Sequence, residues 1–487
     1  MKIAVVGSGI GGLASAILLQ RKGHQVTVYE KNSCPGGKMG QINVDGYRFD
    51  TGPSLFTLPE LVDELFELCS VQETERLPYV RLSNNCRYFY PDGTEFNFYQ
   101  DREALYSEIE RVFPHDAAAV RKRLLHAEEV YNLSAPVFLF SAFHKLSNYL
   151  TEPYRHMVFK LHKLDFFRTM HGANAKDFTD PRLVQLFDRY ATYNGSSPFR
   201  APATLNMIAH LENNKGAFFP VKGMYSIANS LYDLALKQGV RFEFNTRVEE
   251  IIRNGAAVSG IRTASGITSV NAVVSDVDVR SVANHLLKHP LKRIINKIER
   301  SSSALIFYWG INRSFPRLDV HNILFSCDYR EEFRHLFKEK SLSADPTVYL
   351  FISSKIVPDD APAGCENWFV MVNAPSDCGQ AWDKLIAEAR ENILRKIDKM
   401  LGVDIGSCIV TERIASPLTI ARDTFSANGA LYGTSSNSLL AAFLRHPNTL
   451  PGIKNLYFVG GSVHPGGGIP LCIASAKIVS NEIPDAL

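Results

Sequence analysis

The chain has 487 residues, 45% hydrophobic and 21% charged, which excludes a disordered, collagenous or coiled-coil protein. Lys and Arg total 53 against 50 Asp and Glu, and a formal charge of +3 over this length predicts no nucleic-acid partner. No run nears the ~18 apolar residues of a membrane span, and Met1 to Gly12 lacks the layout of a signal peptide. Eight cysteines without a Cys-x-x-Cys predict reduced, scattered core thiols in a cytoplasmic protein, with no metal site.

Lys2 to Val6 is a short apolar run that stops at glycine, as a buried parallel strand does. Gly7-Ser8-Gly9-Ile10-Gly11-Gly12 follows, then a helical pattern through Leu13, Ala16, Ile17 and Leu19 that ends at Gly23. Gln25 to Tyr29 reads as a second strand closing on Glu30. This is a β–α–β unit with G-x-G-x-x-G on Gly7, Gly9 and Gly12: a tight turn, close approach of backbone to a pyrophosphate, and close helix–strand packing. The helix N-terminus supplies free N–H groups to the phosphates. Glu30, 21 residues past Gly9, stands where a carboxylate accepts from a ribose diol.

The motif alone does not choose between NAD and FAD. Lys31 to Met39 adds a Gly36-Gly37 pair and then Lys38. In two-dinucleotide-binding flavoproteins such a pair runs beside the FAD pyrophosphate, followed by an arginine. Lys38 keeps the charge without the guanidinium fork, and a solvated surface lysine is the alternative for it.

Further along, Asp50-Thr51-Gly52-Pro53-Ser54, Tyr193-Asn194-Gly195 with Ser197-Pro198, Phe219-Pro220 with Gly223-Met224, and His321 to Ser326 form an ordered series. The series closes with Phe458-Val459-Gly460-Gly461 and His464-Pro465-Gly466-Gly467-Gly468-Ile469-Pro470. Five glycines after a buried strand let backbone approach something flat, and Pro470 suits the first turn of a helix. Taken together the chain resembles the bacterial carotenoid (phytoene desaturase-like) desaturases, FAD-dependent members of the amine oxidase fold group. Lys222 departs from the pattern, where a second glycine is usual.

The resemblance implies an α/β fold with a discontinuous, Rossmann-like FAD domain from residues 1–75, 215–290 and 425–487. It also implies a sheet-based substrate domain from 76–99 and 291–424 and a helical insert from 100–214. FAD contacts fall on Gly7, Gly9, Ile10, Gly11, Gly12, Glu30, Lys31, Gly36, Gly37, Lys38, Met39, Gly52, Pro53, Ser54, Gly460, Gly461, Gly468, Ile469 and Pro470. Backbone groups at Val248, on an alternating strand over Arg241 to Val248, pair with the adenine edge. The implied reaction passes a hydride from a polyene to flavin, with loss of one proton, and needs neither a catalytic triad nor paired acids. His464, His321 and Arg445 are candidate polar groups, and no general base is assigned.

The segment Phe49 to Pro59 most resembles the branch acting at the 3,4 bond of hydroxylated or monocyclic carotenoids. Phytoene and diapophytoene desaturases are rivals. Others are a carotenoid isomerase, an amine or protoporphyrinogen oxidase, and a non-enzymatic prenyl-lipid escort protein. Quinone or oxygen is the expected electron acceptor. Within the insert, Leu139, Phe143, Leu146 and Leu150 fall on one helical face beside Phe138, Phe140 and Tyr149. Lys145, Arg155, Lys160, Lys163 and Arg168 flank it. A helix on the inner face of the cell membrane and a helix covering the core fit this pattern equally, and a bilayer-resident carotenoid substrate tips the expectation toward peripheral membrane contact.

Overall fold

The computed structural model describes every residue except 143, 146, 147, 150, 288–294, 439–444 and 487. The chain opens with strand β1 (Lys2–Val6), helix α1 (Ile10–Arg21) and strand β2 (Gln25–Tyr29). β1 pairs in parallel with β2 on one side and with Ala272–Ser275 on the other. Ile453–Phe458 extends the sheet beyond Ala272–Ser275, and Arg241–Glu243 extends it beyond β2, both in parallel. An antiparallel wing of Val248–Asn254, Ala257–Thr263 and Gly266–Ser269 joins at the Ile453–Phe458 side, and Thr449–Leu450 also pairs there, giving nine strands. Residues far apart in sequence therefore build one doubly covered sheet, and its central strands are buried apolar runs for that reason. α1 packs against the helix Ile469–Glu482, and a Cβ on Gly12 would run into the Gly7 carbonyl, so only glycine permits this closeness of helix and strand.

A second, seven-stranded sheet is built from Asn84–Phe89, Glu95–Tyr99, Ser303–Ile311, His321–Leu324, Val348–Phe351, Glu366–Ala374 and Ile409–Ala415. All nine residues of Ser303–Ile311 are buried, because the helix Trp382–Leu401 covers one face and the first sheet's layer the other. That helix stops at Gly402, whose φ of +69° turns the chain left-handed. Between the sheets the chain is mainly helical, with helices Arg102–Val112, Ala117–Phe138, Glu152–Phe159, Met170–Asp177 and Pro181–Asp188.

Three expectations need correcting. Arg241 to Val248 is not one strand: Asn245, at φ +53°, breaks it into Arg241–Glu243 and a new strand beginning at Val248. The apolar face proposed over residues 139–150 is not a continuous helix, because the preceding helix ends at Phe138 and Leu139 is buried; Phe143, Leu146 and Leu150 lie outside the described residues. The eight cysteines are free, but Cys34, Cys327 and Cys378 are exposed rather than in the core.

Candidate functional site

A single cavity of about 550 Å³ runs from the carboxyl ends of the parallel strands into the space beneath the seven-stranded sheet. Crevices at that end of a parallel sheet are where such folds bind ligands. At one end α1 opens onto it, its N-cap Gly9 offering no side chain to the first N–H groups. The helix Ile469–Glu482 opens onto the same cavity from Gly468, at φ +109°, also without a side-chain cap. Two helix ends whose own N-cap residues offer no side chain, more than 450 residues apart in sequence, thus face one space.

The loop around α1 is fixed by backbone. Gly36 donates its N–H to the Ser8 carbonyl at 2.8 Å, and a Cβ on Gly37 would lie 3.2 Å from the Gly9 Cα. Glu30, 5% exposed, accepts from the N–H and the hydroxyl of Ser8, each at 2.8 Å, through one carboxylate oxygen. The other oxygen accepts from the Asn32 N–H at 2.9 Å, which leaves it one lone pair for a ribose hydroxyl. Lys38 is no solvated surface lysine: it lines the cavity, its Nζ donates to the Leu431 carbonyl at 2.7 Å, and burial lowers its pKa.

Gly7, Gly9, Ile10, Glu30, Lys31, Gly36, Gly37, Lys38 and Met39 all line the cavity, as do Gly52, Pro53, Ser54, Val248, Gly461, Gly468, Ile469 and Pro470. Gly11, Gly12 and Gly460 are not on its wall. Gly12 serves helix packing, and the Gly460 N–H is already taken by the Ser475 hydroxyl at 2.8 Å. Two helix ends without a side chain on their N-cap residues, a glycine-built loop and a carboxylate with one lone pair to spare suit a long dinucleotide.

The three candidate polar groups also line this cavity. His464 is hydrogen-bonded through Nε2 to the Ser141 carbonyl at 2.8 Å, and burial pushes its pKa down to about 4. Arg445 donates to the Tyr432 carbonyl at 2.9 Å, and burial lowers it to about 10, so it stays cationic near neutrality. No carboxylate pairs with it among the described residues. His321 bonds through Nδ1 to the Tyr349 hydroxyl at 2.8 Å, and burial takes it down to about 4. Both histidines are therefore neutral at physiological pH.

Sequence reasoning missed Asp276, Asn85, Arg189, Glu212, Tyr329 and Tyr349, all on the cavity wall. Asp276 was within reach, since it directly follows the parallel strand Ala272–Ser275, where functional side chains gather. Arg189 also carried a signal, a cation among the apolar residues Leu186, Phe187 and Tyr190.

A doubly covered, mainly parallel sheet, a mixed and mainly antiparallel sheet beyond it and a dinucleotide cradle between them define a flavin-dependent oxidoreductase of the amine oxidase fold. The family described as flavin containing amine oxidoreductase matches residues 10–484. The chain belongs to that family, in its carotenoid desaturase group, and its cofactor is FAD. It is 46% identical over 487 residues to the 1-hydroxycarotenoid 3,4-desaturase of Flavobacterium sp. (strain P99-3), covering 99% of each chain. It is 30% identical over 492 residues to the 4,4'-diapolycopene oxygenase of Methylomonas sp, covering 99% of this chain and 98% of that one. Among solved structures, a Methanosarcina mazei oxidoreductase superposes with a TM-score of 0.65 at 13% identity, covering 99% of this chain and 100% of that one. Putrescine oxidase bound to putrescine also gives 0.65, at 12% identity, covering 99% of each chain. At such identities the structures show the fold alone.

Proposed function

We propose that this enzyme introduces a carbon–carbon double bond into a carotenoid, at the 3,4 position of a hydroxylated or monocyclic polyene. The observation that carries this reading is the cavity's far wall. Beyond the cofactor cradle it is lined by Leu205, Met207, Ile208, Ile323, Phe369 and Met371, with neutral histidines and no unpaired carboxylate among the described residues. An amine substrate would need an unpaired anion for its charge, and the Glu212 carboxylate on this cavity is already paired with Arg189. A long hydrocarbon needs what is there. The 46% identity to a 3,4-desaturase against 30% to diapocarotenoid oxygenases supports the bond assignment.

Bound FAD supplies the acceptor for the hydride. Glu30, the Gly7–Gly12 loop and the Gly36–Lys38 segment would hold its adenosine and phosphate portions. The N-terminus of Ile469–Glu482 and the Arg445 guanidinium would hold its ring, placing positive potential where negative charge collects on reduction. The apolar wall excludes water from the polyene, and the neutral histidines add no charge of their own along its chain. Neither histidine, at a pKa of about 4, stores a proton at neutral pH, so the proton lost from the neighbouring carbon passes on to solvent.

Docking on a membrane is part of the same proposal. Phe140, Tyr149, Val158, Phe159, Leu161 and Phe167 are exposed large apolar side chains within 28 residues. Arg155, Lys160 and Lys163 lie among them, which suits an anionic bilayer surface. The helix Glu152–Phe159 exposes Val158 and Phe159 while burying Tyr154 and Met157 in a cluster with Phe138 and Leu139, which line the cavity. A polyene could thus pass from lipid to cavity under this helix, at the inner face of the cell membrane, with a membrane quinone or oxygen taking the electrons.

Product mass tests the reading. Holoenzyme given a 1-hydroxylated carotenoid in liposomes should yield a product lighter by two hydrogens. An unchanged mass would mean isomerisation, and a gain of oxygen would mean oxygenation; either result refutes the proposal.

A further inference from the structure

Four cavity-lining residues carry a buried polar atom with no hydrogen-bond partner: Asn85 Oδ1, Arg189 Nε, His321 Nε2 and Tyr329 Oη. Their residues are 1%, 7%, 2% and 7% exposed. Buried polar atoms in folded proteins are nearly always paired, so four open ones on one wall point to something that binds there. They gather around Arg189. Its charge acts on both His321 and Tyr329, and Asn85 donates to the backbone carbonyl of Glu212, the residue that pairs with Arg189.

The cluster is electrically settled before any ligand arrives. Arg189 donates to a Glu212 carboxylate oxygen at 3.0 Å and to the Tyr88 hydroxyl at 2.8 Å, and the Tyr193 hydroxyl donates to Glu212 as well. Pair and aromatic rings together leave no net charge, so an anion or a cation brought here would be desolvated without a counter-charge. What remains open is one N–H donor on Arg189, the Asn85 acceptor, and the amphoteric His321 nitrogen and Tyr329 hydroxyl. That set matches an alcohol, which donates once and accepts twice. The surrounding wall, with Leu205, Ile208 and Ile323, matches a hydrocarbon attached to it.

We propose that Asn85, Arg189, His321 and Tyr329 form a receptor for a hydroxyl group on the end of the polyene, and so set the enzyme's preference for a hydroxylated substrate. The proposal rests on the carotenoid reading above and adds the residues that select among carotenoids. Its position agrees with the bond assigned. The Tyr349 hydroxyl bridges His321 Nδ1 at 2.8 Å and the Ser54 hydroxyl at 2.7 Å, so the receptor stands two hydrogen bonds from the Gly52–Ser54 segment of the cofactor cradle. A hydroxyl at C1 is only two carbons from a 3,4 bond and needs a receptor close to the ring. A phytoene-like end, bearing methyl groups alone, would leave all four atoms unsatisfied, and sites built for a hydroxyl reject such analogues by ~100-fold or more.

Tyr329→Phe and His321→Phe test this in the FAD-loaded enzyme. Tyr329 loses only an oxygen that has no protein partner, so the fold and its melting temperature should not change. Binding is measured anaerobically from the polyene's absorption shift, and kcat and KM for turnover, using a 1-hydroxylated carotenoid and the same polyene without the hydroxyl. Wild type should prefer the hydroxylated polyene ~100-fold in kcat/KM. Each variant should lose at least tenfold of that preference, read as the ratio of the two kcat/KM values, with the loss falling on KM for the hydroxylated polyene. A preference that both variants leave intact overturns the receptor while the carotenoid reading stands. Equal turnover of both polyenes by wild type also overturns it. Failure to bind either polyene would remove the carotenoid reading itself and the receptor with it.

Discussion

The Asp276 carboxyl lies against the glycine-rich loop so closely that a Cβ on Gly11 would come within 2.7 Å of its Oδ1. Gly9 and Gly460 crowd the same group, so a carboxyl occupies the hollow around which the cofactor's phosphates would bind. Burial raises its pKa from 3.8 to about 7, with Glu30 pushing in the same direction and Lys38 and the N–H groups of Gly9 and Gly12 opposing.

A raised folded pKa means that the native state holds this proton more tightly than the unfolded chain. The stability it contributes is complete below about pH 4 and is lost as pH rises through about 7. Phosphate charge brought to the loop raises the pKa further, so FAD binding should take up a proton, and affinity should fall by up to tenfold per unit above pH 7. Flavin fluorescence titrations of the apoprotein at pH 6 and pH 8 measure this, and Asp276→Asn should flatten the difference. A wild-type affinity equal at both pH values would count against the linkage.

Gly9→Val should abolish flavin retention with little change in the fold. A side chain there meets the Asp276 carboxylate and covers the open end of α1. Affinity should drop by ~100-fold or more, the order of a lost set of charge-assisted hydrogen bonds. A purified variant as yellow as wild type would show that the first loop does not hold the cofactor.

Arg445 is a buried cation beside the second helix end, where a Cβ on Gly466 would lie 3.2 Å from its Nε. Arg445→Met should make the flavin harder to reduce, lowering its two-electron midpoint potential by ~30 mV or more. Spectroelectrochemical titration of the holoenzyme reads this directly. An unchanged potential would reduce Arg445 to a packing role.

The exposed aromatics set a further expectation. Phe159 is 79% exposed and Phe167 96%, far more than buried function would tolerate. Each Phe inserted into lipid is worth ~1.5–3 kcal/mol, so Phe159→Ser and Phe167→Ser should each weaken co-sedimentation with anionic vesicles about tenfold or more. Lys160→Glu should weaken it further at low salt only. Binding that ignores all three substitutions would place the membrane contact elsewhere.

Backbone-defined features were legible from the sequence. The strand–glycine–helix–strand unit and the closing glycine run need particular residues at particular spacings, because no side chain fits where Gly12 or Gly36 stands. Other features depend on long-range contact and left no local mark. Asn85, Arg189, His321 and Tyr329 come from a strand, a short helix, a second strand and a helix, and each resembles ordinary polar or aromatic content in its own segment. The broken strand at Asn245 and the early end of the helix at Phe138 were misread because apolar periodicity continues through both.

The most direct measurement is anaerobic mixing of flavin-loaded enzyme with a 1-hydroxylated carotenoid, following the flavin's visible absorption and the mass of the extracted polyene together. Bleaching of the flavin, matched one for one by a polyene two hydrogens lighter, is the expected result. A flavin that stays oxidised while the polyene is converted, or that bleaches with no change in the polyene, would contradict the assignment of hydride transfer to this cavity.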